Sequence, residues 1–329
     1  MLSHYKLTTS LTIENGDRET AVWQLTIPRI AADYSFLTHS ILAITSLHIA
    51  HFSKARKRSQ QSSHWNAVAA SQMNKALAIY RHEIERVTPK NVAAVFASSA
   101  LTAIYFIRTS IIDFKDLQAS FPSRGAYTAE MADNMMSCVV KTMWGLRGPL
   151  EVLMKGWSWT INSSIQPVAT RKMWPKMRKP ASPHARDEDE RLRHIEDLWL
   201  QTDRQYDPNS EYLSQALNLL RETYALNSQL LMLEAPRASH AADALLDRGA
   251  IFSWVTRIPR EYIKLVEAQD RDALVILAHF AVLLIRTDKV WWLEGLGSSF
   301  VTAISIALGT ENWRFIGWPA RISGLELHH

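Results

Sequence analysis

A single histidine, His279, stands in the middle of an apolar stretch that runs from Ala273 to Ile285. A buried imidazole that makes no hydrogen bond costs about 1–3 kcal/mol of folding free energy. Its partner can be a backbone carbonyl or a tyrosine inside the core, or a polar group of a bound ligand. Trp291 and Trp292 follow shortly after in the sequence, and they either line a cavity or fill it. Both interpretations stay open at this point.

Two other groups have the residue types of a metal site. His48 and His51 lie three residues apart, on one face of a predicted helix, and two imidazoles so placed can begin such a site. No His-Glu-x-x-His motif accompanies them, which favours one core-facing and one surface-facing imidazole. The acidic run 187–190 has the composition of a magnesium motif, but Arg186 and Arg191 flank it, as at the solvated start of a helix. We predict no metal site.

Motifs for nucleotide binding and nucleophilic catalysis are missing from the sequence. Gly295 and Gly297 lack the third glycine and the preceding strand of a dinucleotide site, and no Walker or Gly-x-Ser-x-Gly sequence occurs. The single cysteine, Cys138, excludes an internal disulfide and an all-cysteine zinc site. Its apolar neighbours favour a buried, inert thiol. We predict no cofactor and no catalytic residues.

A basic cluster spans Lys54 to Arg58. Such a cluster is either a nuclear-import signal or nucleic-acid patch, or the solvated end of a helix. No zinc-finger, basic-zipper or helix-turn-helix signature accompanies it, so we predict no DNA-binding residues in this chain.

The chain has 329 residues, of which 47% are hydrophobic, enough to bury a large core. Its net charge of +5 influences solubility more than fold. A membrane-spanning helix needs about 20 apolar residues, whereas the stretch around His279 is shorter and lies between Asp272 and Arg286. We therefore expect a helix buried on all sides rather than a membrane span. The opening residues do not have the pattern of a secretory signal.

Apolar residues recur at helical spacing along most of the chain. The spacing predicts helices over residues 35–52, 65–84, 92–107, 128–146, 187–199, 210–233, 240–254, 273–285 and 289–308, with a further one around residues 157–159. Thr88 and Pro89 are typical of a helix start, and Arg147, Gly148 and Pro149 are expected to end the preceding helix. No strand alternation is convincing, so the predicted fold class is all-α. Prolines and cations mark an exposed connection from about residue 174 to 186.

Several short stretches, taken in order, resemble a known family. They are His4-Tyr5, Thr8-Thr9, Leu11-Thr12, Val22-Trp23, Ile27-Pro28, the segment 34–50, Ala76 to Tyr80, Thr88-Pro89, the segment 273–284, Trp291-Trp292, Trp313 and Trp318-Pro319. Together they resemble the C-terminal regulatory region of fungal zinc-cluster (Zn2Cys6) transcription factors. The subgroup that they resemble most is the one that includes the sterol-uptake regulators of yeasts.

The resemblance implies one large multi-helix domain over residues 1–329, with an internal apolar pocket for a sterol-like or other lipophilic effector. It also implies transcriptional control in the nucleus, with the cytoplasm as the alternative location. A homodimer, or a heterodimer with full-length relatives, is expected. From apolar helix character and family position, the pocket is predicted to be lined by His279, Phe280, Leu283, Trp291, Trp292 and Phe106.

The sequence departs from the family in its cysteines. A zinc cluster needs six and this chain has one, so the chain is expected to be either a fragment or a stand-alone regulatory domain that does not itself bind DNA sequence-specifically. The alternative function is a cofactor-independent cyclase or isomerase of fungal secondary metabolism that uses the same pocket. We favour the regulatory function over the enzymatic one.

Overall fold

The computed structural model describes residues 1–14, 17–55, 59–120, 128–170, 174–201, 203–234, 247–287 and 289–327. Within these ranges all regular elements are helical and no strand occurs, which confirms the all-α prediction. The α-helices of seven or more residues are α1 Ser35–Ala55, α2 Ser59–Glu83, α3 Val92–Ser120, α4 Ala129–Thr160, α5 Pro183–Arg193, α6 Asn209–Glu234, α7 Arg248–Arg257, α8 Arg260–Glu267, α9 Arg271–Arg286, α10 Leu296–Leu308 and α11 Gly317–Ser323.

Shorter helical turns connect them. Six of these turns lie within the first 31 residues: Leu2–His4, Tyr5–Thr9, Ser10–Thr12, Asp17–Ala21, Val22–Thr26 and Ile27–Ala31. The others are Ile84–Arg86, Gln166–Ala169, His194–Glu196, Asp197–Leu200, Asp203–Tyr206 and Thr310–Ile316.

The contacts divide the chain into two compact units. The first unit comprises Met1–Thr109, Trp144–Met173 and Val290–Trp292, and the second comprises Ser110–Met143, Trp174–Lys289 and Leu293–His329. The single domain over residues 1–329 and its internal pocket stay predictions.

In the first unit, α1 and α2 pack along each other, and the N-terminal turns pack on α1. The buried side of α2 includes Ala69, Met73, Ala76 and Tyr80, the positions that helical spacing predicted. Ala43 of α1 lies in the same apolar cluster as Met73 and Ala76. The periodicity of the sequence therefore located this helix pair correctly.

In the second unit, α9 is contacted by α6, α8, α10 and α11. Every residue from Asp272 to Leu284 is buried, so the prediction of a helix surrounded on all sides is confirmed. Gly297 allows α10 to approach α9 closely, because a Cβ atom at this position would lie 2.6 Å from the backbone nitrogen of Ile285 and 2.7 Å from the carbonyl oxygen of Ala281.

Two helix boundaries differ from the predictions. The predicted break at residues 147–149 was wrong, since α4 continues through Pro149 and departs from helical geometry only at Gly156. An internal proline costs one hydrogen bond, and the burial of Leu146 and Val152 on either side offsets that loss. The last long helix begins at Leu296 rather than residue 289, because Gly295 just before it has a left-handed backbone conformation with φ of 88°.

Residues 174–182 have no regular secondary structure, and α5 begins inside the predicted connection. The segment is anchored to α6: the amide of Ala181 donates a hydrogen bond to Ser228 Oγ at 3.0 Å, and Gln229 Nε2 donates to the carbonyl oxygen of Met177 at 3.1 Å. Part of the basic cluster (residues 56–58) and the first residues of the predicted 240–254 helix lie outside the described residues.

One helix in the described part of the chain, α3, is long and apolar enough to cross a membrane by length and composition alone. Inside the protein 72% of its apolar window is buried, as in the core helix of a folded domain. The helix that carries His279 has 16 residues and does not reach the length of a span.

Candidate functional site

The six residues predicted to line a pocket fall into both units. His279, Phe280 and Leu283 lie on α9 in the second unit, whereas Phe106, Trp291 and Trp292 belong to the first.

The imidazole of His279 is buried, with 3% of the residue exposed. Its Nδ1–H donates a hydrogen bond to the carbonyl oxygen of Val275 at 2.8 Å, one turn earlier in the same helix. Burial lowers the pKa of His279 to about 4, and the cation of Arg191 acts in the same direction, while the bond to Val275 opposes them. At neutral pH the ring is therefore uncharged, and its Nε2 is a hydrogen-bond acceptor.

An aromatic ring and, beyond it, a cation lie in a spatial row beside the His279 imidazole. The indole of Trp318, on α11, has its centroid 5.6 Å from that of the imidazole. The guanidinium carbon of Arg191, on α5, lies 5.2 Å from the centroid of the same indole. Exposure increases along this row: His279 is buried, Trp318 half-buried and Arg191 exposed. Trp318 is thus the aromatic neighbour of the imidazole on its more exposed side.

The other two predicted residues on α9 are apolar and buried. Phe280 stacks on Trp254 of α7, with ring centroids 4.3 Å apart and an interplanar angle of 26°. Leu283 is 1% exposed. Trp254 is held in place by its indole N–H, which donates to the carbonyl oxygen of Ala216 at 2.9 Å. Phe280 and Leu283 are therefore apolar neighbours of His279 on α9, and Phe280 packs against Trp254 of α7.

An ion pair with a buried carboxylate lies at one end of this region. Arg286, in the last turn of α9, bonds to the carboxylate of Glu188, and Glu188 is 6% exposed. The guanidinium of Arg286 also lies 5.6 Å from the ring centroid of Tyr224. The Tyr224 hydroxyl donates to the carbonyl oxygen of His279 at 2.8 Å. The acidic run 187–190 was therefore misjudged in part, since Glu188 contributes to the core rather than to a solvated helix start.

The start of α9 is held by charges as well. Asp270 caps the helix by accepting hydrogen bonds from the amides of Asp272 and Ala273. Arg204 bridges the two carboxylates, at 2.6 Å from Asp270 and 2.5 Å from Asp272. Asp272 is fully buried and its carboxylate also accepts from Arg271 Nε. Both ends of the His279 helix are thus anchored by charge-assisted hydrogen bonds.

In the first unit, Trp291 and Trp292 are buried and share one partner. The indole N–H of Trp291 donates to Thr12 Oγ1 at 2.9 Å, and that of Trp292 donates to the carbonyl oxygen of Thr12 at 3.1 Å. The two tryptophans lie in turns before α10 rather than on the helix that the sequence predicted. Phe106 is half-buried and lies against Gly145, where a Cβ atom would be 3.1 Å from the Phe106 ring.

His48 and His51 lie close to Trp291. Their ring centroids are 4.8 Å and 6.0 Å from its indole. His48 is buried, and its Nδ1 lies 2.8 Å from Thr9 Oγ1. His51 Nδ1 accepts a hydrogen bond from Arg108 at 3.0 Å. Among the described residues no three His, Cys, Asp or Glu side chains converge on a position for a metal ion.

Burial lowers the pKa of His48 to about 4, and the neighbouring imidazoles of His4 and His51 lower it further. Sequence reasoning did not identify Thr12, Arg108, Tyr224 or Trp318 as neighbours of the predicted residues. No local signal marks them, because each reaches its partner across a large separation in the chain, as between Thr12 and Trp291.

The chain is similar to a curated fungal protein. It is 25% identical over 341 aligned positions to a Zn(2)-C6 fungal-type transcription factor of Gibberella zeae, and the alignment covers 99% of the chain. The chain spans 61% of that relative's length. No protein-family model matches the chain. The similarity relates the chain to fungal zinc-cluster factors and confirms that resemblance, whereas the sterol-uptake subgroup stays a prediction.

Proposed function

We propose, from its relation to fungal zinc-cluster transcription factors, that this chain is a regulatory domain that senses a lipophilic effector and thereby controls transcription. The observation that carries the proposal is the similarity along 99% of the chain to the Gibberella zeae factor. This sequence has one cysteine, so its similarity to that factor does not lie in a six-cysteine cluster. A regulatory function fits the remaining part.

The surroundings of His279 support a lipophilic effector with one polar group. The imidazole is neutral at neutral pH and offers Nε2 as an acceptor, with Phe280 and Leu283 as apolar neighbours on the same helix. Binding sites for small molecules are mostly apolar, with a few polar groups that orient the ligand. A sterol-like molecule with one hydroxyl group matches that chemistry, because its hydroxyl can donate to Nε2.

The proposal extends to partners and location. The domain acts in the nucleus, as a homodimer or together with a longer relative that carries the DNA-binding part. Fusion of residues 1–329 to a foreign DNA-binding domain tests this: effector-dependent expression of a reporter gene is the expected result. Constant expression at all effector concentrations would contradict the transcriptional function.

Binding is tested by titrating the purified protein with a sterol and with its methyl ether, which cannot donate a hydrogen bond. The substitution His279→Phe should weaken sterol binding about tenfold, the loss of one hydrogen bond, and leave binding of the ether unchanged. His64→Phe, at an exposed position, is the control.

Equal affinity of wild type and His279→Phe for the sterol would rule out His279 as the polar anchor. No response to any sterol or lipid would rule out the sensing function. Chromatography of the recovered ligand, with detection by mass spectrometry, covers the enzymatic alternative, because a product of the same mass and a different retention time would indicate a cyclase or isomerase.

A further inference from the structure

Two buried hydrogen-bond donors of the N-terminal turns have no partner among the described residues. They are the hydroxyl of Tyr5 and the indole N–H of Trp23. Tyr5 is 0% exposed and Trp23 is 3% exposed. Buried polar groups are normally hydrogen-bonded, and leaving one unpaired costs the hydration that it had in the unfolded chain. Two unpaired donors in one short segment therefore need an explanation.

The fold brings these two residues into neighbouring parts of the N-terminal segment. Tyr5 begins the turn Tyr5–Thr9, Trp23 lies in the turn Val22–Thr26, and the two turns are in contact. On their outer side, Gln24 Nε2 donates to the carbonyl oxygen of Lys6 at 3.0 Å. Tyr5 precedes Lys6 in the chain, and Trp23 precedes Gln24. Tyr5 and Trp23 are buried, whereas Lys6 is exposed. The turn that contains Tyr5 also contacts α1, so both donors are buried in the N-terminal part of the first unit.

Neighbouring buried polar side chains already have partners. Thr9 Oγ1 lies 2.8 Å from His48 Nδ1, Ser40 Oγ lies 2.8 Å from Ser98 Oγ, and Thr45 Oγ1 donates to the carbonyl oxygen of Ile41 at 2.7 Å. The remaining buried residues of these turns and of the first half of α1 are mainly apolar: Ile13, Val22, Ile27, Leu37, Ile41 and Ile44. The two donors are therefore exceptions in a region whose other polar groups are satisfied.

The chemistry of the two groups specifies what they can bind. An indole N–H only donates. Burial raises the pKa of Tyr5 above its ordinary value, so its hydroxyl keeps its proton and donates as well. A partner shared by both must be an acceptor. An uncharged oxygen is favoured over a carboxylate, because a carboxylate would lose its hydration in an apolar interior.

We propose that Tyr5 and Trp23 form a second polar position, which binds the carbonyl or ether oxygen of a lipophilic ligand. The inference rests on the proposed function in one respect, namely that the effector is a largely apolar molecule with few polar groups. It goes further in assigning to the first unit a position for an acceptor oxygen, whereas His279 in the second unit requires a donor.

A matched pair of ligands tests the assignment: a steroid ketone and the alcohol with the same carbon skeleton, each titrated calorimetrically into the full chain. Tyr5→Phe should reduce the affinity for the ketone at least fivefold and leave the affinity for the alcohol within twofold. Trp23→Phe should act in the same direction. Tyr34→Phe is the control, since the Tyr34 hydroxyl already donates to the carbonyl oxygen of Lys90.

Thermal unfolding without ligand gives an independent readout. Tyr5→Phe removes an unpaired buried donor and should raise the Tm, whereas removal of a satisfied hydroxyl lowers it. A lower Tm together with unchanged ketone affinity would mean that the two donors hold a buried water only, which would overturn the inference.

The outcomes also separate this inference from the proposed function. Alcohol binding that His279→Phe weakens, combined with ketone binding that Tyr5→Phe leaves unchanged, would overturn the second polar position and retain the sensing function. Failure of both ligands to bind wild-type protein would overturn both. Ketone binding that depends on Tyr5 and Trp23 supports both.

Discussion

The two units each bury a neutral imidazole, but they hold it in different ways. His279 bonds to a carbonyl oxygen of its own helix, and the ends of that helix are anchored by Arg286 and by Arg204. His48 lies beside other side chains instead, with Thr9 and His4 at 2.8 and 3.3 Å from its Nδ1. One ring is therefore positioned by its helix, and the other by a polar cluster of the N-terminal turns.

The two regions also differ in the hydrogen-bonding groups that they offer to a ligand. The region of His279 offers an acceptor, Nε2, beside apolar side chains. The N-terminal segment offers two donors, on Tyr5 and Trp23. A hydroxyl group of a ligand would match the first of these regions, and a carbonyl or ether oxygen would match the second. Polarity, rather than apolar area, is therefore the feature that distinguishes the two positions.

The largest effect is expected at the ion pair between Arg286 and the buried Glu188, in the His279 region. Arg286→Met leaves the buried carboxylate of Glu188 with the exposed His184 beside it. We expect the free energy of unfolding in urea to fall by about 3 kcal/mol, the lower end of the loss for a buried pair, because Glu188 is buried whereas Arg286 is exposed.

The control for this substitution is Arg257→Met, whose partner Glu222 is exposed. Exposed pairs contribute below about 1 kcal/mol. Similar losses of unfolding free energy in the two variants would show that the pair of Arg286 and Glu188 stabilises the fold no more than an exposed pair does.

The next largest effect is the pH dependence of the unfolding free energy that arises from the imidazoles of His279 and His48. The pKa of each in the folded chain is about 4, below the value of about 6.5 in an unfolded chain. The unfolded chain thus takes up protons first as the pH falls. Each neutral histidine therefore makes its full contribution to the free energy of unfolding above a pH of about 6.5. That free energy falls by about 3 kcal/mol for each residue as the pH is lowered towards about 4.

His279→Phe should remove its share of this dependence, so that unfolding free energies measured between pH 8 and pH 4 decline less steeply than in the wild type. His48→Phe should do the same in the first unit, and His64→Phe should leave the slope unchanged. A slope that none of these substitutions alters would contradict the lowered pKa values.

The smallest effect is expected at the hydrogen bond that joins Trp291 to the N-terminal turns. Thr12→Val removes the acceptor of the Trp291 indole N–H and retains the main-chain acceptor of Trp292. The unfolding free energy should fall by about 1–3 kcal/mol, the cost of a buried unpaired donor. Thr109→Val is the comparison, because that hydroxyl bonds to carbonyl oxygens of its own helix; an equal loss would mean that Thr12 has no special role.

Local patterns predicted much of the helical framework. Apolar spacing placed α1, α2 and α6 close to their observed bounds, because helix burial repeats with the helical period. Proline and glycine signals were less reliable. Pro149 lies within a helix, and the helix predicted from residue 289 begins only after Gly295. Whether packing compensates for a proline depends on distant residues, which a local signal does not contain.

The candidate site was predictable only in part. The isolated position of His279 in an apolar run identified it as a buried imidazole, and Phe280 and Leu283 follow from the same helix. The sequence did not predict that Tyr224, Trp318 and Arg191 are neighbours of His279. The unpaired donors Tyr5 and Trp23 have no sequence signature at all, since the lack of a partner is a property of the folded chain.

The sequence by itself determined the fold class, the buried helix around His279 and the relation to fungal zinc-cluster factors, because periodicity, composition and similarity are all carried by the order of residues. Tertiary structure alone decided the tautomer of His279, the burial of Glu188 beside Arg286 and the separation of the six predicted residues into two units. These features depend on contacts between distant segments, and hydrogen bonding and burial act through space rather than along the chain.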